Sequence, residues 1–284
     1  MSLDKSSLGR FRHTKPQKRV AFTLGALALA GLASAGCGPV ADEDAATTQQ
    51  EIGLAREVSA TFRNCIEFGG VGLVPAANVQ DLVPAQYALS PGPPGLAIAV
   101  AHMAKCQEIK VGGWVGHPGI MGHVGVLINP PTGTGNFNNY LLAHVTDDPA
   151  LFAALKAAGL QTTYINPHLR FDVLGTGSGS TLSAAAQRPH ELAFGLSGPF
   201  ALPDSSQPPG SNVINYGTDG RRAGNAVLEY NITGLHVQLT PDVVLDAVGS
   251  ALVDIVGGSQ LTFPLIAAGE SLESTTLTFR PRVF

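Results

Sequence analysis

Residues 122–146 read GHVGVLINPPTGTGNFNNYLLAHVT, and the pattern of this stretch decides the fold class. Two apolar runs, 122–128 and 138–146, flank a segment of Pro, Thr, Gly and Asn, the residue types that form turns. Short apolar runs bounded by turn formers are typical of strands. We therefore predict two strands that pair as a hairpin across the loop at Pro130–Asn136.

Similar runs recur along the chain. The run GLAIAVAHM predicts a strand at 95–103, and later strands are predicted at 164–165, 170–174, 191–196, 213–216, 227–233, 236–239 and 272–280. One helix is predicted at 150–158, because Asp147 or Asp148 precedes Pro149 as an N-cap residue does. A second is predicted from Pro241 or Asp242 to Val256. The expected fold is α+β and β-rich, a barrel or curved antiparallel sheet with two helices.

The first 36 residues have the features of an export signal. Basic residues precede an uncharged run at 20–32, which is too short to span a bilayer as a helix. The run leads to Ser-Ala-Gly-Cys at 34–37, which resembles a bacterial lipobox, in which the cysteine is acylated. Residues 33–35 also read Ala-Ser-Ala, an A-x-A cleavage site, so plain secretion is the alternative. Both alternatives predict export.

These features predict three segments: a signal peptide at 1–36, a lipidated flexible tether at 37–59 and one β-rich globular domain at 60–284. The expected location is the cell envelope, and the expected partner is the membrane, reached through a lipid on Cys37. Gly38 stands where an aspartate retains some lipoproteins at the inner membrane, which favours the outer membrane.

The chain after residue 36 is acidic. Six of the 17 basic residues and one of the 21 acidic residues lie in the leader, so the remainder carries a net charge near −9. A nucleic-acid partner is excluded, because binding to phosphates needs clustered Lys and Arg. Only 13% of residues are charged, whereas Gly (34) and Pro (20) are abundant, which favours a β-rich globular protein over disorder.

Three cysteines are present, at 37, 65 and 106. If Cys37 carries the lipid, Cys65 and Cys106 remain as an even pair in an oxidising compartment. We predict a disulfide between them, with two buried free thiols as the alternative.

Several segments resemble, in their order, those of the acetoacetate decarboxylase-like superfamily. Val83-Pro84-Ala85 with Tyr87-Ala88-Leu89 is similar to the family's VPEPL segment. The strand at 95–103, the hairpin at 122–146 and the helix after Asp147-Asp148-Pro149 follow in the family's order. Residues 252–265 are similar to its closing helix and strand. The resemblance covers roughly residues 71–165 and 240–280 and implies the family's fold.

The family's chemistry does not transfer to this sequence. Its decarboxylases form a Schiff base through one of two adjacent lysines just after the helix, and a neighbouring cation lowers the pKa of that amine. The matching stretch at 159–164 reads GLQTTY and has no lysine. The family's catalytic carboxylate would fall near 121–123, where there is also no acid. We therefore predict that this chain is no Schiff-base decarboxylase.

Histidines on predicted strands give the best candidate site. Alternation places His123, Gly125, Leu127 and Asn129 on one face of their strand, and Asn138, Tyr140, Leu142 and His144 on one face of the next. If the strands pair, His123 and His144 lie close together. We predict catalytic roles for His123, His144 and Glu229 and ligand-binding roles for His102, Tyr140 and Asn129; surface or core polar residues are the alternative. No metal and no cofactor is expected, because the sequence has no tight ligand signature.

Three functions remain compatible with the sequence. The first is an envelope lipoprotein whose β domain binds a small apolar or weakly polar molecule. The second is an enzyme of the same fold that uses His and Glu for acid–base chemistry of a lyase, hydratase or aldol type. The third is a structural lipoprotein without a ligand. An enzyme needs at least two titratable groups within hydrogen-bonding distance in a pocket, whereas a carrier can be lined by apolar residues alone.

Overall fold

The structure is a computed structural model. It describes residues 58–85, 87–129, 137–158, 160, 163–175, 179–187, 191–201, 211–218, 225–232 and 236–282. The leader, Cys37 and the loop at 130–136 lie outside the described residues.

Strands dominate the described residues. They are β1 (Val58–Pro75), β2 (Ala88–Leu89), β3 (Leu96–Val111), β4 (His117–Asn129), β5 (Phe137–Thr146), β6 (Thr163–Ile165), β7 (Arg170–Leu174), β8 (Thr181–Ala186), β9 (Phe194–Pro199), β10 (Ser211–Thr218), β11 (Asn225–Ile232), β12 (His236–Ala247) and β13 (Gln260–Arg282). The helices are α1 (Ala76–Val79), α2 (Pro149–Ala158) and α3 (Ser250–Val256), and a 3-10 turn spans Gln80–Leu82. No helix in these ranges is long and apolar enough to cross a membrane.

One large curved sheet contains the strands. Its order is β1-β3-β4-β5-β10-β11-β13-β12-β9-β8-β7, with β2 paired to β4 and β6 paired to β5. The first and last strands also pair with each other, in register from Val58 with Phe279 to Val71 with Leu265. The strand path continues past β13 to β7, so the sheet as a whole is curved rather than a closed barrel. The predicted β-rich α+β class is confirmed.

The predicted hairpin is confirmed, and it contains a bulge. β4 and β5 pair antiparallel, but the register shifts between Val124 and Gly125, which leaves Leu142 as an extra residue on β5. A bulge reverses which side of the sheet the following side chains take. Tyr140 therefore packs in the core on one side, while His144 lies on the other. The prediction that Tyr140 and His144 share a face is wrong for this reason.

Two helices were predicted, and the structure corrects the second. α2 begins as expected, because the carboxylate of Asp148 accepts a hydrogen bond from Leu151 N at 2.7 Å, the geometry of an N-cap. The second predicted helix starts too early: residues 242–247 belong to β12, and α3 begins at Ser250. The stretch from Asp242 to Ala247 alternates exposed or half-buried and buried side chains, which is a strand pattern.

Two apolar cores lie on opposite sides of the central strands. On β3, Ala101 and Met103 belong to the larger core, which includes residues of β9, β12 and α3. Ala104 belongs to the smaller core, with Leu151 and Leu155 of α2. Because successive side chains of a strand point to opposite faces, one stretch of β3 contributes to both cores.

The predicted disulfide is confirmed: Cys65 and Cys106 are bonded, with a sequence separation of 41 residues. They lie directly opposite each other on β1 and β3.

Candidate functional site

Three buried histidines lie side by side across the sheet. His102 of β3 pairs with His123 of β4, and His123 pairs with His144 of β5. The rings of His102 and His123 have centroids 5.0 Å apart. We call His102, His123 and His144 the histidine row, and the side of the sheet on which they lie the histidine face. The sequence expectation that His123 and His144 are neighbours agrees with this pairing.

Residues of two further strands, β1 and β6, flank the histidine row. Gly69 of β1 pairs with His102, and Thr163 of β6 pairs with His144. Glu67, two residues before Gly69, places its Oε2 atom 3.4 Å from His102 Nε2. The side chain of Glu67 is 3% exposed, so this carboxyl group is in the interior. The site thus joins residues of four consecutive strands of the sheet, β1, β3, β4 and β5, with β6 at its end.

Sequence reasoning missed Glu67. It sought an acid near 121–123, where the family resemblance placed one, and the structure has a buried carboxyl group on β1 instead. One pattern could have predicted its burial: in the run Cys65–Gly72, Glu67 is the single acidic residue among apolar and glycine residues.

Burial keeps two of the imidazoles neutral. Desolvation by burial, with a smaller contribution from the nearby His102, lowers the pKa of His144 to about 3. Desolvation also lowers the pKa of His123 well below its ordinary value, with the proximity of His102 and His144 as further causes. Both rings are therefore neutral at pH 7, and each has one N–H donor and one acceptor nitrogen.

Several polar atoms of this site have no hydrogen-bond partner among the described residues. They are Nε2 of His123, both ring nitrogens of His144 and Oγ1 of Thr163. Thr163 is fully buried and His144 is 1% exposed. A buried polar atom without a partner costs about 1–3 kcal/mol, so such atoms are usually paired with protein, water or a ligand.

A small apolar cavity lies on the opposite side of the same strands. Its volume is about 30 Å³, enough for one or two water molecules and far below the size of an organic ligand site. Its apolar lining includes Ala101, Met103, Val145, Phe194, Leu245 and Leu252. His102 and His123 also contribute to its lining, although the side chains of Ala101 and Met103 alternate with that of His102 along β3. It is a packing void of the larger core.

The other predicted site residues lie apart from the row. Tyr140 is buried in the larger core, where its ring packs against that of Tyr87 at 5.5 Å between centroids. Asn129 is exposed at the end of β4, where its Oδ1 atom accepts a hydrogen bond from Ser90 Oγ. Glu229 lies in β11 and pairs with Ile214 and Thr278, and its side chain lies outside the described residues.

The lysines of the domain do not approach the histidine row. Lys105 forms an ion pair with Asp172 at 2.7 Å between Nζ and Oδ1, and both side chains are about half exposed. Lys110 is exposed, and Lys156 lies over the ring of Tyr164. Within the described ranges, no group of three or more His, Cys, Asp or Glu residues is arranged to hold a metal ion.

Comparison with solved structures identifies the architecture. Acetoacetate decarboxylase from Legionella pneumophila superposes with a TM-score of 0.50 at 11% identity, over 79% of this chain and 87% of that chain. This chain has an acetoacetate decarboxylase-like fold. An acetoacetate decarboxylase-like enzyme from Sphingomonas wittichii RW1 superposes with a TM-score of 0.47 at 10% identity, over 79% and 91% of the two chains.

The enduracididine biosynthesis enzyme MppR, in complex with pyruvate, superposes with a TM-score of 0.47 at 12% identity, over 87% of this chain and 98% of that chain. No protein-family model and no curated protein sequence matches the chain. At such low identity the similarity establishes the fold alone.

Proposed function

We propose that this chain is an exported protein, lipid-anchored through Cys37 at the outer membrane, whose domain holds a small, neutral, weakly polar molecule at the histidine row. The observation that carries the binding role is the group of buried polar atoms on His123, His144 and Thr163 that have no partner among the described residues. Together they represent several kcal/mol of unmet hydrogen bonding, at about 1–3 kcal/mol per atom.

The protonation state of the row favours a particular ligand chemistry. Neutral imidazoles present both donors and acceptors, which match a hydroxyl or carbonyl group. An anionic ligand would lose its hydration there without meeting a positive charge on His123 or His144. The ligand that these two rings favour is therefore a neutral molecule with a hydroxyl or carbonyl group.

The same geometry disfavours catalysis. A Schiff-base mechanism needs an amine in the interior, and the described lysines are outside the row, with Lys105 already paired to Asp172. General base catalysis at neutral pH is most efficient when the pKa of the base is near 7. His144, with its pKa lowered to about 3, is a weak proton acceptor.

Export is supported by the leader at 1–36 and by the chemistry of the domain. Disulfides persist in oxidising compartments outside the cytoplasm, and Cys65 and Cys106 are bonded in the sheet. This pairing leaves Cys37 as the remaining cysteine of the three, as acylation would require.

Native mass spectrometry tests the binding role. The protein is purified from cells that export it, and its mass is compared under non-denaturing and denaturing conditions. We expect the native form to carry the extra mass of a small organic molecule and the variant His144→Leu to lack it, because the variant removes two polar ring nitrogens from the row.

His117→Leu is the matched control. His117 lies on the same strand, β4, but is exposed, so this variant should retain the extra mass. A wild-type protein with equal masses under both conditions would refute the binding role, and so would equal occupancy in His144→Leu and His117→Leu.

A further inference from the structure

The turn between β3 and β4 exposes two adjacent apolar side chains. Its sequence is Gly-Gly-Trp-Val-Gly at 112–116, which we call the β3–β4 tip. Trp114 is 67% exposed and Val115 is 78% exposed, the largest exposures of any large hydrophobic residue in the described ranges. Gly112 has φ of 54°, the left-handed conformation that glycine adopts readily, so the chain can turn sharply at the end of β3.

Burial of these two side chains would be favourable, by about 25 cal/mol for each Å² of apolar surface removed from water. Tryptophan is also enriched at the interface between lipid headgroups and hydrocarbon, where its ring is partly apolar and its N–H remains hydrated. Trp114 and Val115 alone have too little apolar surface to hold a protein on a membrane. Stable association usually requires a second attachment.

The chain enters the domain beside this tip. β1 begins at Val58, and Ser59 O accepts a hydrogen bond from Gly112 N at 2.8 Å. Ala60 pairs with Val111, the last residue of β3 before the turn. The segment between Cys37 and Val58 therefore joins the folded body at the end that bears Trp114 and Val115.

The length of that segment fits a membrane-facing tip. About 20 residues separate Cys37 from Val58, and if they form the flexible tether that the sequence predicts, their root-mean-square span is roughly 25 Å. A tether this short holds the attached body at high effective concentration next to the anchor point, where a weak second contact becomes occupied.

We propose that the β3–β4 tip inserts Trp114 and Val115 into the headgroup region of the lipid membrane that carries the anchor. The contact is mainly apolar: beside the tip, Arg63 and Glu108 form an ion pair at 3.5 Å, Lys110 is an exposed cation, and the body as a whole is acidic. This inference rests on the proposed attachment through Cys37, and it assigns the surface of the domain that faces the lipid.

Trp114 is the only tryptophan of the chain, so tryptophan fluorescence reports on the tip alone. The test uses the mature chain that begins at Cys37, which retains the compact unit formed by residues 51–284. Cys65 and Cys106 are bonded to each other, so the Cys37 thiol can be coupled selectively to a maleimide lipid. The vesicles contain phosphatidylethanolamine and phosphatidylglycerol, with or without brominated acyl chains.

We expect the emission of Trp114 to shift to the blue on coupling and to lose about half of its intensity in brominated vesicles, as for a ring at the lipid interface. Val115→Asp should abolish most of both effects. Leu82→Asp should preserve them, because Leu82 is 49% exposed and lies just after α1, at the other end of β1.

Emission that stays at its water-exposed position in coupled protein would overturn the inference, as would equal quenching in Val115→Asp and the wild type. Because the coupling is chemical, these results do not depend on whether cells acylate Cys37. Acylation is tested separately, by fractionation of a Cys37 variant.

Discussion

His144 shows how burial and hydrogen bonding together define the site. Its ring is 1% exposed, and neither nitrogen has a partner among the described residues. In the unfolded chain the same ring is hydrated and titrates near pH 6.5. The difference between the two states makes the free energy of unfolding depend on pH.

The sign of this dependence follows from the lowered pKa values. Below about pH 6.5 the unfolded state binds protons at His123 and His144 that the folded state does not, so stability falls with decreasing pH. The slope is up to about 1.4 kcal/mol per pH unit for each ring, until the pH approaches the folded pKa, which is about 3 for His144.

We predict that His144→Leu reduces this slope by about half, and that it stabilises the ligand-free protein by about 1–3 kcal/mol at pH 7, because an unpaired buried imidazole is replaced by an apolar side chain. Urea unfolding at several pH values between about 4 and 7.5 measures both effects. His117→Leu is the control, and a slope equal to that of the wild type in His144→Leu would contradict the prediction.

At the residue scale the sequence predicted part of the site. The proximity of His123 and His144 followed from alternation and a hairpin, since both are local properties. The face of Tyr140 did not follow, because the extra residue at Leu142 leaves no mark in a pattern of apolar residues. Glu67 was missed because most glutamates in strands face water.

At the scale of elements, β1 and β3 are joined by the disulfide as well as by their ladder. The Cys65–Cys106 bond closes a loop with a sequence separation of 41 residues. In the chain-entropy model such a bond stabilises the folded state by roughly 4 kcal/mol, because it restricts the unfolded chain.

We predict that the variant Cys65→Ser with Cys106→Ser loses about 2–4 kcal/mol of unfolding free energy, measured by urea unfolding. In addition, thiol labelling of the unfolded, unreduced protein should leave both cysteines unmodified. Labelling of both Cys65 and Cys106 would contradict the disulfide. The control is Cys37→Ser, which leaves Cys65 and Cys106 unchanged.

The helix α2 and many of the strands have recognisable local signals and were predicted, whereas β1 was not. The helix α2 has an N-cap at Asp148 and a buried apolar face, and both can be recognised from sequence. β1 lacks such a signal, because its Gly69 and Gly70 weaken the strand pattern. Gly70 is required there, since a side chain would overlap the ring of Phe263 on β13, a neighbour about 190 residues away.

At the scale of the whole molecule, the proposed anchor determines where the protein resides. The leader predicts acylation of Cys37, and we expect this lipid to hold the protein at the membrane, with the contact of Trp114 and Val115 as a weaker addition. The acidic body contributes no electrostatic attraction to anionic lipid.

We predict that Cys37→Ser transfers the protein from the membrane pellet to the soluble fraction of exporting cells, measured by ultracentrifugation and immunoblotting. Val115→Asp, with the anchor intact, should remain in the pellet, because the tip contributes only a small apolar area. Unchanged pelleting of Cys37→Ser would rule out the lipid anchor.

The order of the strands in the sheet depends on the whole chain. From the sequence it could be predicted only through the family resemblance. β5 pairs in parallel with β10, and β1 pairs with β13. Pairings between segments this far apart depend on the complementarity of complete surfaces, and no local pattern encodes them.

The pairing of β1 with β13 also sets the time at which the protein can fold. β1 gains its second neighbour only after the last segment of the chain has left the ribosome, because Val58 pairs with Phe279. Contacts between such remote segments form slowly. Late pairing of this kind would suit the export proposed above, because a translocation pore accepts an unfolded chain and the sheet would then be completed after the crossing.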